Sequence, residues 1–255
     1  MIPDQWPRRL QLLDISRGIA ALVVVLWHWK HFSSLSSVEF TRSSQPFYEP
    51  LALFYEKGYL AVDYFFLLSG FVFFWLYKAP IENRQIGAGR FTLQRFSRLY
   101  PLHFVTLIGV ALLQFAYVSR SGGPSFTYEN NDTYHFLLNL GLVSQWGFQK
   151  GFSFNAPIWS VSVEVFLYLI FFLLARLRLG NALVCLLIFL GCYYSFFIGG
   201  LMQTFIAKAS VSFFLGGLLV TLIPWIATRR SWRILAFSSS LVVWMVVLTD
   251  TYVTD

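Results

Sequence analysis

Arg17 and His28 stand eleven residues apart in the apolar run DISRGIAALVVVLWHWKH, residues 14–31. On a helix, eleven residues return to within about 20° of the same azimuth after a rise of roughly 16 Å, so both side chains share one face. A guanidinium is a permanent cation that suits phosphate, and an imidazole can take up a proton near neutral pH. Two plainer roles stay open: Arg17 as an interface anchor paired with Asp14, and His28 as an interhelical hydrogen-bonding residue. Asp63 lies in GYLAVDYFFLLSGFVFFW and Glu164 in APIWSVSVEVFLYLIFF. Each falls about five residues from the outer end of its segment, which predicts a shared depth of roughly 7–8 Å, with His28 within about a helical turn of that level. Either acid can also be read as an arginine partner or a helix cap. Arg95 and Arg98, in GRFTLQRFSRLYPLHF, are placed to face one way, and two guanidiniums together suit phosphate. Taken alone, the same stretch reads as a basic loop before a span that opens at Pro101.

The elements that must position these residues are membrane helices. Hydrophobic residues make up 57% of the 255-residue chain and charged residues 12%, with mean hydropathy +0.62. A soluble domain is about half apolar and about a quarter charged. Apolar blocks of spanning length recur throughout, which predicts an all-α, polytopic transmembrane bundle rather than a barrel of short alternating strands. In that setting the net charge of +7 reflects basic cytoplasmic loops, not a nucleic-acid surface. Ionisable residues inside such spans are costly and mark functional sites.

Spans are predicted near 15–34, 58–78, 99–118, 159–176, 182–200, 205–226 and 232–249. The segment 134–148 is short and polar. Loop 78–98 carries five basic residues against Glu82 and is expected in the cytoplasm, with the N-terminus. If 134–148 does not cross, the clusters at Arg176–Arg178 and Arg229–Arg233 also fall inside. It is therefore read as a re-entrant or interfacial piece, giving seven spans. The first helix is expected to be uncleaved, because His28, Lys30 and His31 interrupt its end and no A-x-A site follows. Cys185 and Cys192 are read as packing residues, roughly 10 Å apart on one helix and beyond disulfide reach. His28 and His31 have ligand-like spacing without a further convergent ligand, so no metal is expected. Ser69–Gly70 is read as a close helix-packing contact.

Five blocks in order carry a resemblance to a known family. They are LDISRGIAALVVVLWH, GYLAVDYFFLLSGFVFFW, RFTLQRFSRLYP, WSVSVEVFLY and SFFLGGLL. Over roughly residues 10–220 the chain resembles the integral-membrane acyltransferase family 3, the O-acetylases of bacterial surface polysaccharides and related glycans. The resemblance implies that Arg17 and His28 are the first-helix pair, with His28 catalytic, and that Arg95 and Arg98 are the family's R-x-x-R. It assigns Asp63 and Glu164 to the family's acidic positions; Val165 stands where a second adjacent acid is common. The family has more spans than are read here, so residues 1–255 are expected to form one acyltransferase domain lacking its C-terminal helices.

The resemblance further implies a multi-pass protein of the bacterial inner membrane that moves an acyl group, acetyl in the commonest case, from cytoplasmic acyl-CoA to a saccharide hydroxyl. Arg17, Arg95 and Arg98 would hold the CoA phosphates. His28, oriented by a carboxylate, would be the general base, an acyl-histidine intermediate being the variant. Asp63 and Glu164 would meet the acceptor. The competing class is a transporter or scaffold subunit with a proton or substrate path, which would show related halves or paired broken helices.

Overall fold

A computed structural model describes residues 11–29, 41–122, 128–199 and 204–252, and among them every regular element is a helix. Helix α1 is Gln11–His28 and α2 is Tyr48–Lys57. Helix α3, Leu60–Val72, runs through a π-helical stretch, Phe73–Tyr77, into α4, Lys78–Glu82. There follow α5 (Ala88–Ser121), α6 (Thr133–Leu140) and α7 (Trp159–Arg176). Helix α8, Ala182–Tyr193, continues through a second π-helical stretch, Tyr194–Ile198, and α9 (Phe205–Thr228) and α10 (Arg230–Tyr252) complete the order.

Five helices are long and apolar enough to cross a membrane: Gln11–His28, Leu60–Glu82, Ala88–Ser121, Ala156–Arg176 and Phe205–Ile226. They coincide with five of the seven expected spans. Ala182–Ile198, at the sixth, is apolar but shorter, about 25 Å at helical rise. Arg230–Tyr252, at the seventh, is a helix of 23 residues. The chain is thus an all-α, multi-pass membrane protein; residues 30–34, the end of the first expected span, lie outside the described residues.

The third span differs from its expected bounds. Helix α5 begins at Ala88 and takes in Arg90, Arg95 and Arg98, which the sequence placed in a loop. Pro101 sits inside the helix instead of opening it. Proline removes one backbone bond, but the residues before it are good helix formers, and the helix continues across the gap. Its far end is set by Gly122, whose left-handed backbone (φ 60°) lets its N–H donate to Val118 O.

Helix directions follow from which residues meet. Along α3 and α7, Phe66 meets Trp159, Ser69 bonds Glu164, and Phe73 stacks on Tyr168. Along α3 and α9, Asp63 meets Lys208, Gly70 abuts Phe213, and Phe74 packs at Gly217. All three helices run the same way, so the chain between α5 and α7 must return to the face on which α5 ended. Helix α6 has eight residues, about 12 Å of rise, far short of a crossing. The segment 134–148 is therefore folded back, as the basic loops imply.

That segment is held by side chains that satisfy its backbone, which a lipid environment requires. Tyr100 donates to Leu140 O (3.2 Å) and His103 Nε2–H to Asn139 O (2.8 Å). Trp146 Nε1–H donates to Ser162 O (3.0 Å), and Asn139 to Ser153 Oγ (2.9 Å). His135 is buried with both ring nitrogens used, Nδ1–H toward Asp132 and Nε2 accepting from the Lys150 N–H. The His135 N–H, bonded to Asp132 as helix cap, holds that carboxyl below its usual pKa. His103 and His135 are both staples of this one segment.

The core is aromatic. Phe73, Phe74, Phe171, Phe213 and Phe214 are buried at the meeting of α3, α7 and α9, and Cys185 of α8 is buried with them. Leucines and valines cover the outward faces of α1, α5 and α10, as lipid contact requires.

Candidate active site

A cavity of about 370 Å³ opens among α1, α3, α5 and α7. Helix α1 contributes Arg17, Ala21 and Val24, which at helical spacing form one stripe. Helix α5 contributes Arg95 and Arg98, which share a face because the helix starts early enough to contain them. Helix α7 contributes Glu164 and Tyr168, one turn apart, and α3 supplies Ser69. Three of the arginines singled out by spacing thus reach one cavity from two distant parts of the chain.

Arg95 is gripped by aromatic rings. Its guanidinium carbon lies 4.5 Å from the Tyr77 centroid, 5.2 Å from Phe73 and 5.9 Å from Phe91, and Nη2 donates to Tyr77 OH. Its Nε is buried with no partner among the described residues. No ion pair joins Arg17, Arg95 or Arg98 to a carboxylate there. Among the described residues, the single acid on the cavity wall is Glu164. Ser69 Oγ donates to Glu164 Oε1 (2.7 Å), and Tyr168 OH donates to the same oxygen. Three positive groups face one carboxylate among the described residues of the wall, a charge balance that suits an anion.

His28 is half-buried at the end of α1, one turn beyond Val24, and does not line this cavity. Its Nδ1–H donates to Val24 O (2.7 Å). A carbonyl only accepts, so Nδ1 carries a proton. The group at Nδ1 is the backbone carbonyl of Val24.

The two acids do not share a depth. Glu164 is level with Ser69, six residues beyond Asp63 along α3, or about 9 Å. The sequence estimate took Trp159 as the outer boundary. The folded-back segment instead delivers Trp159 to Phe66 (6.3 Å between centroids), already well along α3. Asp63 faces another way and forms an ion pair with Lys208 of α9 (3.1 Å), whose ammonium lies 5.5 Å from the Tyr59 ring.

Lys208, Ser69 and Tyr168 are contributors that the sequence reading passed over. Lys208 carried a usable signal: it is a lone cation in the apolar stretch FIAKASVSFF, the same criterion that selected Asp63. Tyr168 stands four residues from Glu164, one face of a helix. Ser69 had no such signal. The Asp63–Lys208 pair is mostly buried (22% and 29% exposed), so removing one partner strands the other charge. Asp63→Asn and Lys208→Met are each expected to cost about 2–3 kcal/mol. The double variant should recover part of that loss in detergent thermal denaturation; additive losses would mean that the two charges are not coupled.

The chain is similar to known proteins. Residues 10–254 match the family described as "Acyltransferase domain". The chain is 40% identical over 101 residues to "Protein 2 in picA locus" of Rhizobium radiobacter, covering 40% of this chain and 44% of that protein. It is 35% identical over 124 residues to "Acyltransferase MdmB" of Streptomyces mycarofaciens, covering 47% of this chain and 29% of that one. These matches span less than half the length of either relative. No solved structure matches.

Proposed function

The chain belongs to the acyltransferase domain family, and from that premise we propose that it is a membrane-bound O-acyltransferase. The donor is a cytoplasmic acyl-CoA, in the first instance acetyl-CoA. The acceptor is a hydroxyl of a cell-surface or lipid-linked saccharide, at the inner membrane of a bacterium. The observation that carries this reading is the convergence of Arg17, Arg95 and Arg98 on one cavity whose only acid among the described residues is Glu164. Unpaired guanidiniums in a partly dry site suit phosphate oxygens, which they can hold with paired hydrogen bonds.

The cavity stripe on α1 runs from Arg17 through Ala21 and Val24 toward His28. A donor anchored by its phosphates at Arg17, Arg95 and Arg98 would direct its thioester along that stripe. His28 Nε2 accepts the acceptor hydroxyl's proton while the hydroxyl oxygen bonds to the thioester carbon. The carbon–sulfur bond breaks, and the CoA thiolate leaves and is protonated. The basic loops support a cytoplasmic side for the arginine end of this path and for the N-terminus. Asp63, neutralised by Lys208, lies toward the far side, where the acceptor would enter.

The test is CoA binding and transfer of labelled acetyl in membranes carrying the chain. Arg17→Ala and Arg98→Ala are each expected to weaken CoA binding by about ten- to a hundredfold, the value of one charge-assisted contact. Arg17→Lys should restore part of that as a point charge. Unchanged CoA affinity in both alanine variants would remove the phosphate-anchor reading.

A further inference from the structure

Glu164 is an awkward neighbour for a phosphate, and its surroundings explain what it does instead. Both of its donors, Ser69 Oγ and Tyr168 OH, converge on Oε1. Oε2 has no partner among the described residues, and it is not a fully buried atom. Ser69 and Tyr168 line the same cavity. They fix the carboxylate's rotation and leave one acceptor oxygen presented to the interior.

Its place along the cavity is set by the helices. Tyr168 stacks on Phe73, whose ring Arg95 also approaches, at one end. Glu164 lies one turn of α7 from there, level with Ser69. The other end, beside Ala21, Val24, Val62 and Phe65, is apolar but for the Ser160 hydroxyl, one turn of α7 from Glu164 on the side away from Tyr168. The order is therefore cations, then a single oriented acceptor, then an apolar wall. A ligand matching it is anionic at one end, carries N–H or O–H donors in its middle, and ends in a small apolar group.

We propose that Glu164, positioned by Ser69 and Tyr168, accepts a hydrogen bond from an amide N–H or the hydroxyl of the donor's pantetheine arm. This inference rests on the acyl-CoA reading above and names a subsite within it. The cavity recognises the arm as well as the phosphates, which distinguishes a pantetheine thioester from other anionic ligands.

Binding of three probes to membranes carrying the chain tests this: CoA, 4′-phosphopantetheine, and 3′-phosphoadenosine 5′-diphosphate, the nucleotide half without the arm. In Glu164→Gln, CoA and phosphopantetheine are expected to bind about tenfold more weakly, with the nucleotide half unchanged. Ser69→Ala and Tyr168→Phe should show the same selective loss to a smaller degree, because each frees the carboxylate to rotate. The retained nucleotide affinity reports that the variants are folded. Unchanged CoA affinity in Glu164→Gln, or equal loss of CoA and the nucleotide half in all three variants, overturns the subsite. Failure of every probe to bind the wild-type chain overturns the acyl-CoA reading instead.

Discussion

His28→Ala is expected to reduce acyl transfer by about 10²- to 10⁴-fold, the usual contribution of a positioned general base, while CoA binding stays near the wild-type value. The separation follows from geometry. His28 is outside the arginine-lined cavity and one turn past its last α1 residue, Val24. It can meet the reacting end of a donor without touching the phosphates. Val24 O accepts from Nδ1–H and so fixes the orientation of the ring. Glutamine in its place could mimic the hydrogen bond but could not take up a proton, so His28→Gln should be nearly as inactive as the alanine variant. Transfer of labelled acetyl from CoA, with CoA binding measured separately, reads both quantities. Near-normal transfer in His28→Ala would leave His28 as an interhelical hydrogen-bonding residue and end the proposed mechanism.

Gly70→Ala should disrupt the bundle itself. A Cβ at Gly70 would lie 1.8 Å from the carbonyl oxygen of Phe213, and one at Gly216 would lie 2.1 Å from that of Leu67. Both obstacles are backbone, so no side-chain rotation relieves them, and α3 and α9 would have to separate. Separation would open the cluster of Phe73, Phe74, Phe213 and Phe214. Membrane helices gain little from hydrophobic exclusion and depend on such close approach. A loss of about 3 kcal/mol or more is expected for either substitution, seen as a lower thermal midpoint in detergent or lost folded yield. Gly191→Ala is the control. Its added Cβ meets nothing within 4 Å, and it should be near neutral. A Gly70→Ala variant as stable as the control would mean that the α3–α9 contact is looser than described.

These two outcomes depend on different amounts of information beyond the sequence. The hydrophobic blocks announced the helices, since a spanning helix is a property of one continuous segment. The span Trp159–Arg176 has the bounds read from composition. The spacings of Arg17 with His28 and of Arg95 with Arg98 were readable as shared helix faces, because a helix face is set by residue number. The small residue at Gly70 was readable as a packing contact for the same reason. Loop charge, with the shortness of 134–148, also predicted that this segment turns back.

Tertiary structure decided which of those faces meet. Ser69 and Glu164 are bonded across 95 positions of sequence, and Asp63 found its partner in Lys208 of another helix. Counting from Trp159 put Glu164 beside Asp63 in depth. The folded-back segment, clamped by Tyr100, His103 and Trp146, starts α7 deeper and carries Glu164 down to the arginines. A helix's own sequence fixes the angular order of its side chains but not its height or rotation against a neighbour. Those are set by where backbones can approach closely, as at Gly70 and Gly216, and by which buried polar groups must find partners in the absence of water.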